Sequence, residues 1–143
     1  MSKVILFSST FKVERKDDSR FDKVARFYCT SASSRVSLFV DINIDVYPVQ
    51  VNSELVVTFA STILKNGAPV PDTYDPTLFE RETLADDYEY VMYGKVFKFI
   101  NGSDKNVSIV MSFGGLLAVL QGDAALFKDI ELNSSIFLLA KKS

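Results

Sequence analysis

The chain has 143 residues and a formal net charge of −2, with 16 Lys and Arg against 18 Asp and Glu. It contains no histidine and a single cysteine, which excludes zinc sites of the Cys/His kind and catalytic triads that need an imidazole base. This length and the 48% apolar content predict one globular domain over residues 1–143. The lone cysteine and the lack of a membrane-length apolar stretch favour an intracellular protein with no membrane partner.

Alternation of apolar and polar residues predicts strands along most of the chain. The strongest example is residues 36–46, where the even positions are apolar and the odd positions include Ser37, Asp41 and Asn43. A period of two places the apolar row inside and the polar row, with Asp41, in water. Weaker alternation predicts strands at residues 4–7, 21–30, 55–62, 88–100, 107–113, 116–120 and 136–140. Seven or more short strands are typical of a barrel or a sandwich.

Turn residues separate these strands. Asn-Gly pairs at 66–67 and 101–102 predict tight turns, because Asn and Gly tolerate positive φ angles. Residues 67–87 hold three of the four prolines and six acidic residues against one arginine, which predicts a long acidic loop. Gly114 and Gly115 are not followed by the Lys-Ser/Thr of a phosphate-binding loop, so we expect a β-bulge or a close approach of two strands there. Residues 123–128 predict one turn of helix.

Two motifs that carry chemistry in other proteins fit structural roles better here. The Asp-Ile-Asn-Ile-Asp motif at 41–45 matches the first ligands of a calcium loop, but Val46 and Asn52 stand where such a loop needs Gly and Glu. Cys29 has no histidine to act as its base and lies on the apolar row of its predicted strand. We therefore expect no metal site and a cysteine thiol packed in the core.

A basic and aromatic stretch spans residues 12–35. Basic side chains beside exposed aromatic faces are what a groove for single-stranded nucleic acid uses. Four acidic residues within the stretch leave a second interpretation open, a solvated face of mixed charge. The candidate nucleic-acid-binding residues are Arg20, Lys23, Arg26, Tyr28 and Arg35.

Residues 88–99 carry apolar side chains on both faces of a predicted strand, including five aromatic rings. Either both faces are buried in the domain, or one face receives a protein partner through a surface rich in Tyr and Met. The Gly-Gly segment after the next strand is the second part of this candidate surface. The candidate partner-binding residues are Tyr90, Met92, Tyr93, Lys95, Phe113, Gly114, Gly115 and Leu116.

Several blocks of the sequence together resemble one known family. They are Phe-Asp-Lys-Val-Ala-Arg at 21–26, Val-Asp-Ile-Asn-Ile at 40–44, Tyr-Glu-Tyr-Val-Met-Tyr-Gly-Lys at 88–95 and Ser-Phe-Gly-Gly-Leu-Leu at 112–117. The chain resembles the eighth, small shared subunit of the eukaryotic nuclear RNA polymerases I, II and III. The resemblance implies an all-β fold, an antiparallel Greek-key barrel of the oligonucleotide/oligosaccharide-binding (OB) type with about eight to nine strands and two related halves.

The same resemblance implies a non-catalytic role without cofactors. Such a subunit lies on the outside of a polymerase in the nucleus and nucleolus, docked chiefly on the largest subunit, and a nonspecific affinity for single-stranded DNA maps to about residues 17–40. Family members often carry an arginine where this chain has Val119. The alternative from the residues alone is a stand-alone module that binds single-stranded nucleic acid.

Overall fold

The computed structural model describes residues 4–17, 23–31, 33, 35–62 and 87–143. These residues form eight strands and one short 3-10 helix, so the all-β prediction is confirmed. The elements are β1 (Ile5–Asp17), β2 (Val24–Ser31), β3 (Val36–Asn43), β4 (Glu54–Ala60), β5 (Tyr90–Asn101), β6 (Asn106–Phe113), β7 (Leu116–Asp123), the 3-10 helix (Ala124–Phe127) and β8 (Ser135–Lys142). The predicted turn at 66–67 and the acidic loop up to residue 86 lie outside the described residues. Within the described residues, no helix has the length and apolar character needed to cross a membrane.

The strands close into one antiparallel barrel in the order β1-β2-β3-β7-β6-β5-β8-β4. In each half of the chain, three consecutive strands form a meander and the fourth returns beside the first, which is a Greek key. The two halves join where equivalent strands pair, β3 with β7 and β4 with β8. The barrel therefore consists of two related four-strand units, as the OB-type resemblance implies.

The interior is filled by the inward rows of all eight strands. In β2 the inward residues Ala25, Phe27 and Cys29 are buried, whereas the residues between them are partly exposed. Burial raises the pKa of the Cys29 thiol to about 12. The thiol is therefore protonated at neutral pH and is packed as a core residue, as predicted.

Strand β1 is much longer than the predicted segment at 4–7. Its polar outer residues hide the alternation, but Phe11 and Val13 still point inward and are fully buried. The first part of β1 pairs with β4, and the last part pairs with β2. A β-bulge between Val13 and Arg15 shifts the register of β1 against β2 by one residue.

Strand β3 is shorter than the predicted segment at 36–46 because Asn43 ends it. The Asn43 side-chain oxygen accepts hydrogen bonds from the backbone N–H groups of Asp45 and Val46, which turns the chain away from the sheet. Val46, predicted to lie on the apolar row, is consequently 67% exposed. Asp41, predicted to lie in water, is instead buried.

The hairpin turns use different residues from those predicted. Gly114 and Gly115 have φ angles of 64° and 96° and join β6 to β7 as a two-residue turn, so the predicted bulge is wrong. The hairpin predicted at 101–102 does join β5 to β6, but its positive φ of 56° lies at Asp104. The predicted helical turn is confirmed as the 3-10 helix, which Asp123 caps by accepting from the Ala125 N–H.

A small polar cluster fixes one end of the barrel. The Tyr47 hydroxyl donates to Glu89 at 2.6 Å, and the same carboxylate oxygen accepts from the Lys142 backbone N–H at 2.8 Å. The hydrogen bond from Tyr47 contributes most to lowering the pKa of Glu89, while burial raises the pKa of Tyr47. The Tyr47 ring stacks on Tyr90 with 5.2 Å between centroids. The β3–β4 connection is thereby held against the beginning of β5.

Strands β5 and β6 leave no space for a side chain at Gly94. An added Cβ at this position would overlap the Ser112 carbonyl oxygen and would lie 2.8 Å from the Phe113 Cα. Both contacts are with backbone atoms, which cannot move without shifting the strand. Only glycine fits at this position between the two strands.

We predict that Gly94→Ala lowers the free energy of unfolding by about 3 kcal/mol or more, because the added methyl group forces the two strands apart. Gly102→Ala is the matched control, since the nearest atom to its added Cβ lies 3.5 Å away. Urea unfolding of the two variants provides the measurement. Equal stability of both variants would contradict the close approach at Gly94.

Candidate interaction surfaces

The outer face of β2 and β3 is organised by a buried ion pair. The Arg26 guanidinium donates to both carboxylate oxygens of Asp41, at 2.8 and 3.2 Å, and these hydrogen bonds raise the pKa of Arg26. Asp41 also accepts the backbone N–H of Leu117 at 3.1 Å. The backbone pairing of β3 with β7 covers Ser37 to Val40. The Asp41 carboxylate therefore takes the next N–H of β7 where that ladder stops.

Two aromatic rings and two arginines form a ladder across this face. The Arg15 guanidinium lies 4.0 Å from the centroid of the Tyr28 ring, and Tyr28 packs against Phe39 at 5.9 Å between centroids. Arg26 lies over the other end, 4.9 Å from the Phe39 centroid. Cations over aromatic faces attract the ring quadrupole, so the four side chains support one another. We call Arg15, Tyr28, Phe39 and Arg26 the aromatic ladder.

A shallow groove of about 300 Å³ runs beside the aromatic ladder. It crosses the outer face from β1 to β7 and combines ring faces with hydroxyl, amide and carboxylate groups. Its lining includes Glu14, Tyr28, Thr30, Ser37, Phe39, Val119 and Gln121. Glu14 accepts a hydrogen bond from the Thr30 hydroxyl at 2.9 Å. The groove offers stacking surfaces and polar contacts, with a negative charge at one edge.

The structure brings together only part of the predicted nucleic-acid site. Arg26 and Tyr28 are neighbours in the aromatic ladder, whereas Lys23 and Arg35 lie at opposite ends of the β2–β3 hairpin, roughly 25 Å apart at strand spacing. Lys23 makes an exposed ion pair with Asp45 at 3.8 Å, and Arg35 is exposed with a φ of 53°. Arg20 lies outside the described residues.

Two members of the aromatic ladder were not among the predicted site residues. Phe39 lies on the outward row of β3, between Ser37 and Asp41. An aromatic residue on the polar row of an alternating strand is the sequence signal that indicates such a surface position. Arg15 follows the β-bulge in β1, which places it opposite Tyr28. Sequence periodicity cannot reveal this pairing, because the bulge shifts the register by one residue.

The candidate partner-binding residues divide between the core and the surface. Tyr90, Met92 and Phe113 point into the barrel and are at most 8% exposed. A second apolar cluster of Ala60, Phe137 and Leu139 lies on the opposite face. Val91 of β5 and Tyr88, just before the strand, pack against it. Both faces of β5 are thus covered at its beginning.

The exposed candidates cluster farther along β5. Tyr93 is 52% exposed, with its ring against Phe137 and its hydroxyl donating to Ser135. Lys95 is exposed and pairs with Ser112, which puts the exposed Gly114–Gly115 turn at the level of Tyr93. Leu116 is half-buried against the core. We call Tyr93, Lys95, Gly114, Gly115 and Leu116 the β5 surface.

A second set of exposed apolar side chains lies on the outer half of β5 and on the turn before β8, which reaches β5 at Val96. It comprises Phe97 at 49%, Phe99 at 39%, Ile100 at 46% and Leu132 at 49% exposed. A β-bulge at Phe97 marks the point where β5 leaves the barrel wall. We call these four residues the hairpin patch.

The similarity of this chain to a known family extends over almost the whole barrel. The sequence profile of the RNA polymerase Rpb8 family matches residues 8–142, from β1 into β8. The chain belongs to this family. The resemblance that the sequence blocks indicated is therefore confirmed.

Named relatives match this chain along nearly their full length. The DNA-directed RNA polymerases I, II, and III subunit rpabc3 of Dictyostelium discoideum is 40% identical, over 97% of this chain and 98% of that protein. The DNA-directed RNA polymerases II, IV and V subunit 8B of Arabidopsis thaliana is 36% identical, over 99% and 98%. The Saccharomyces cerevisiae subunit RPABC3 is 32% identical, over 95% and 97%. These names do not favour a stand-alone nucleic-acid-binding module.

We predict that Asp41→Ala lowers the free energy of unfolding by about 3–5 kcal/mol, because it leaves the Arg26 charge and the Leu117 N–H without their partner. Asp41→Asn keeps one acceptor and should lose less. Asp45→Ala is the control, since its ion pair with Lys23 is exposed and contributes about 1 kcal/mol at most. Denaturant unfolding distinguishes the three, and equal losses for Asp41→Ala and Asp45→Ala would contradict the structural role of Asp41.

Proposed function

We propose that this chain is a non-catalytic structural subunit shared by nuclear RNA polymerases, and that it docks on the largest subunit in the nucleus and nucleolus. The observation that carries the proposal is the match to the Rpb8 family over residues 8–142. Relatives of similar length are named as subunits of two or more polymerases, either I, II and III or II, IV and V. A subunit common to several polymerases fits a role in assembly.

Three potentially reactive groups in the described part of the chain make contacts within the barrel, which is consistent with a non-catalytic role. Asp41 is neutralised by Arg26, and Glu89 accepts hydrogen bonds from Tyr47 and Lys142. The Cys29 thiol is buried and protonated. Catalytic acids, bases and nucleophiles need access to substrate, and Asp41 and Cys29 are buried. Glu89 is exposed, but its hydrogen bond from Tyr47 lowers its pKa, which makes it a weaker base.

The β5 surface is the docking area that we propose for the largest subunit. Tyr93 offers an exposed ring already fixed by Phe137 and Ser135, so little side-chain entropy is lost when a partner covers it. Tyrosines of this kind are frequent anchors at the centre of interfaces. Tyr90, Met92 and Phe113 would support the surface from the core without touching the partner.

We predict that the double variant Tyr93→Ser, Lys95→Glu associates about tenfold or more weakly with the polymerase, because it removes the anchor ring and reverses the neighbouring charge. The measurement is co-purification of the tagged full-length chain with the largest subunit, in competition with the untagged wild type. The free variant must unfold at the temperature of the wild type.

The matched control is Val51→Ser, Lys12→Glu, which changes another exposed apolar residue, at 42% against 52% for Tyr93, and a lysine on β1, three strands away around the barrel. This control should assemble normally. Normal incorporation of the Tyr93→Ser, Lys95→Glu variant would show that the β5 surface is not the docking area. Failure of the wild-type chain to co-purify with any polymerase would contradict the proposed function itself.

A nonspecific contact with single-stranded DNA is the second function that we propose, and the aromatic ladder favours it. Tyr28 and Phe39 present ring faces beside a groove, and stacking on such rings contributes about 1–3 kcal/mol per base. The positive charge is limited, because Arg26 is neutralised by Asp41 and Glu14 lies in the groove. We therefore expect weak binding that depends mainly on stacking and on Arg15.

We predict that Tyr28→Ala weakens binding of a labelled oligothymidylate by about tenfold, because it removes a stacking ring and the support of Arg15. Tyr93→Ala removes an exposed tyrosine on another face and serves as the control. Fluorescence anisotropy of the free chain at two salt concentrations gives the affinities and their salt dependence. Equal affinities for Tyr28→Ala and the wild type would exclude the aromatic ladder as the DNA site.

A further inference from the structure

Strand β5 continues beyond its neighbour β8. The pairing of β5 with β8 covers Tyr90 to Lys95, and the last contacts on that side join Val96 to residues 133 and 134 through two backbone hydrogen bonds. The chain before β8 turns away there, since the Ser134 N–H donates to the Glu131 carbonyl. On its other side, β5 pairs with β6 as far as Asn101. The outer half of β5 is therefore an edge strand.

The register shows which backbone groups this edge presents. The Gly102 N–H donates to Asn106, so in an antiparallel ladder the pairs Ile100–Ser108 and Lys98–Val110 are also the hydrogen-bonded ones. The N–H and C=O groups of Phe99 and Asn101 then point away from β6. Among the described residues, no strand or backbone group pairs with them.

The side chains around this edge are apolar on both faces of the strand. Phe99 pairs with the inward residue Ile109, whereas Ile100 pairs with Ser108 on the outer face, and both are well exposed. Phe97 and Leu132 complete the hairpin patch, near the point where β8 begins at Ser135. A chain laid along the edge would continue the line of β8 and would contact apolar side chains above and below.

We propose that this edge receives an extended segment of another polymerase subunit, which adds a strand to the barrel at Phe99 and Asn101. The open N–H and C=O groups can form hydrogen bonds with the backbone of a partner strand. The hairpin patch can pack against apolar side chains at alternate positions of that strand. A rounded protein surface cannot reach these backbone groups, whereas an extended chain can. The proposal rests on the proposed function, since the segment belongs to the assembled polymerase.

The test is amide hydrogen exchange of the full-length chain, free and in purified polymerase, at single-residue resolution. Strand addition should slow exchange of the Phe99 and Asn101 N–H groups by about tenfold or more on assembly. The N–H groups of Lys98 and Ile100, already bonded to β6, should be protected in both states. This alternation separates strand addition from simple coverage of the patch by side chains.

A variant removes the proposed bond without removing the hairpin. Phe99→Pro deletes only an N–H that faces the free edge, and edge positions tolerate proline. We expect its incorporation into polymerase to fall about fivefold or more relative to Phe99→Leu, which keeps the N–H and an apolar side chain. Thermal unfolding of both free variants shows whether the barrel is intact, and if Phe99→Pro does not fold, the exchange measurement alone decides.

Each other outcome overturns the proposal in a distinct way. Incorporation of the wild-type chain with unchanged exchange at Phe99 and Asn101 would refute strand addition and leave the docking function standing. Protection that appears in the free chain as its concentration rises would assign the edge to a second copy. A wild-type chain absent from all polymerases would contradict the function on which the proposal rests.

Discussion

The carboxylate of Asp41 connects three strands at the first junction between the two halves of the chain, where β3 pairs with β7. It is on β3, it neutralises Arg26 on β2, and it accepts an N–H from β7 of the other half of the chain. Carboxylates are rarely buried without a partner, and this one has a bidentate cation and a backbone donor. The same contact holds the Arg26 guanidinium over the Phe39 ring. The ion pair with Asp41 therefore also positions one end of the aromatic ladder. The fold and the candidate DNA surface therefore depend on one interaction.

Strands β4 and β8 form the second junction between the two halves of the chain, and a polar cluster holds its end. Strands β4 and β8 pair along six residue pairs, and most of their side chains are buried on both faces. Glu89 then connects the β3–β4 connection, through Tyr47, to the backbone of β8. The inward rows of the described strands pack together into one apolar core. Both candidate interaction surfaces accordingly lie on the outside of the barrel.

Much of this architecture follows from the sequence, and the exceptions have physical causes. Periodicity predicts a segment of each of the eight strands and leaves a barrel or a sandwich open, and the resemblance favours the barrel. The position of Asp41 could not be predicted, because a polar residue in the outward row reads as solvated unless its partner on a neighbouring strand is known. The length of β1 was hidden for a related reason, since its outer row is polar and a β-bulge interrupts its register. Long-range pairing decides both features.

The candidate partner surface on β5 also could not be predicted from periodicity alone. In residues 88–99 the sequence has apolar side chains at nearly every position, so periodicity cannot separate core from surface. The barrel divides the segment by position along the strand: its beginning is covered on both faces, and beyond Val96 both faces open. The change coincides with the β-bulge at Phe97 and with the end of the β8 pairing. Among the described residues, no strand covers the apolar side chains of β5 past the end of the β8 pairing. A partner chain laid there would remove this apolar surface from water, which is the physical reason for proposing one at this place.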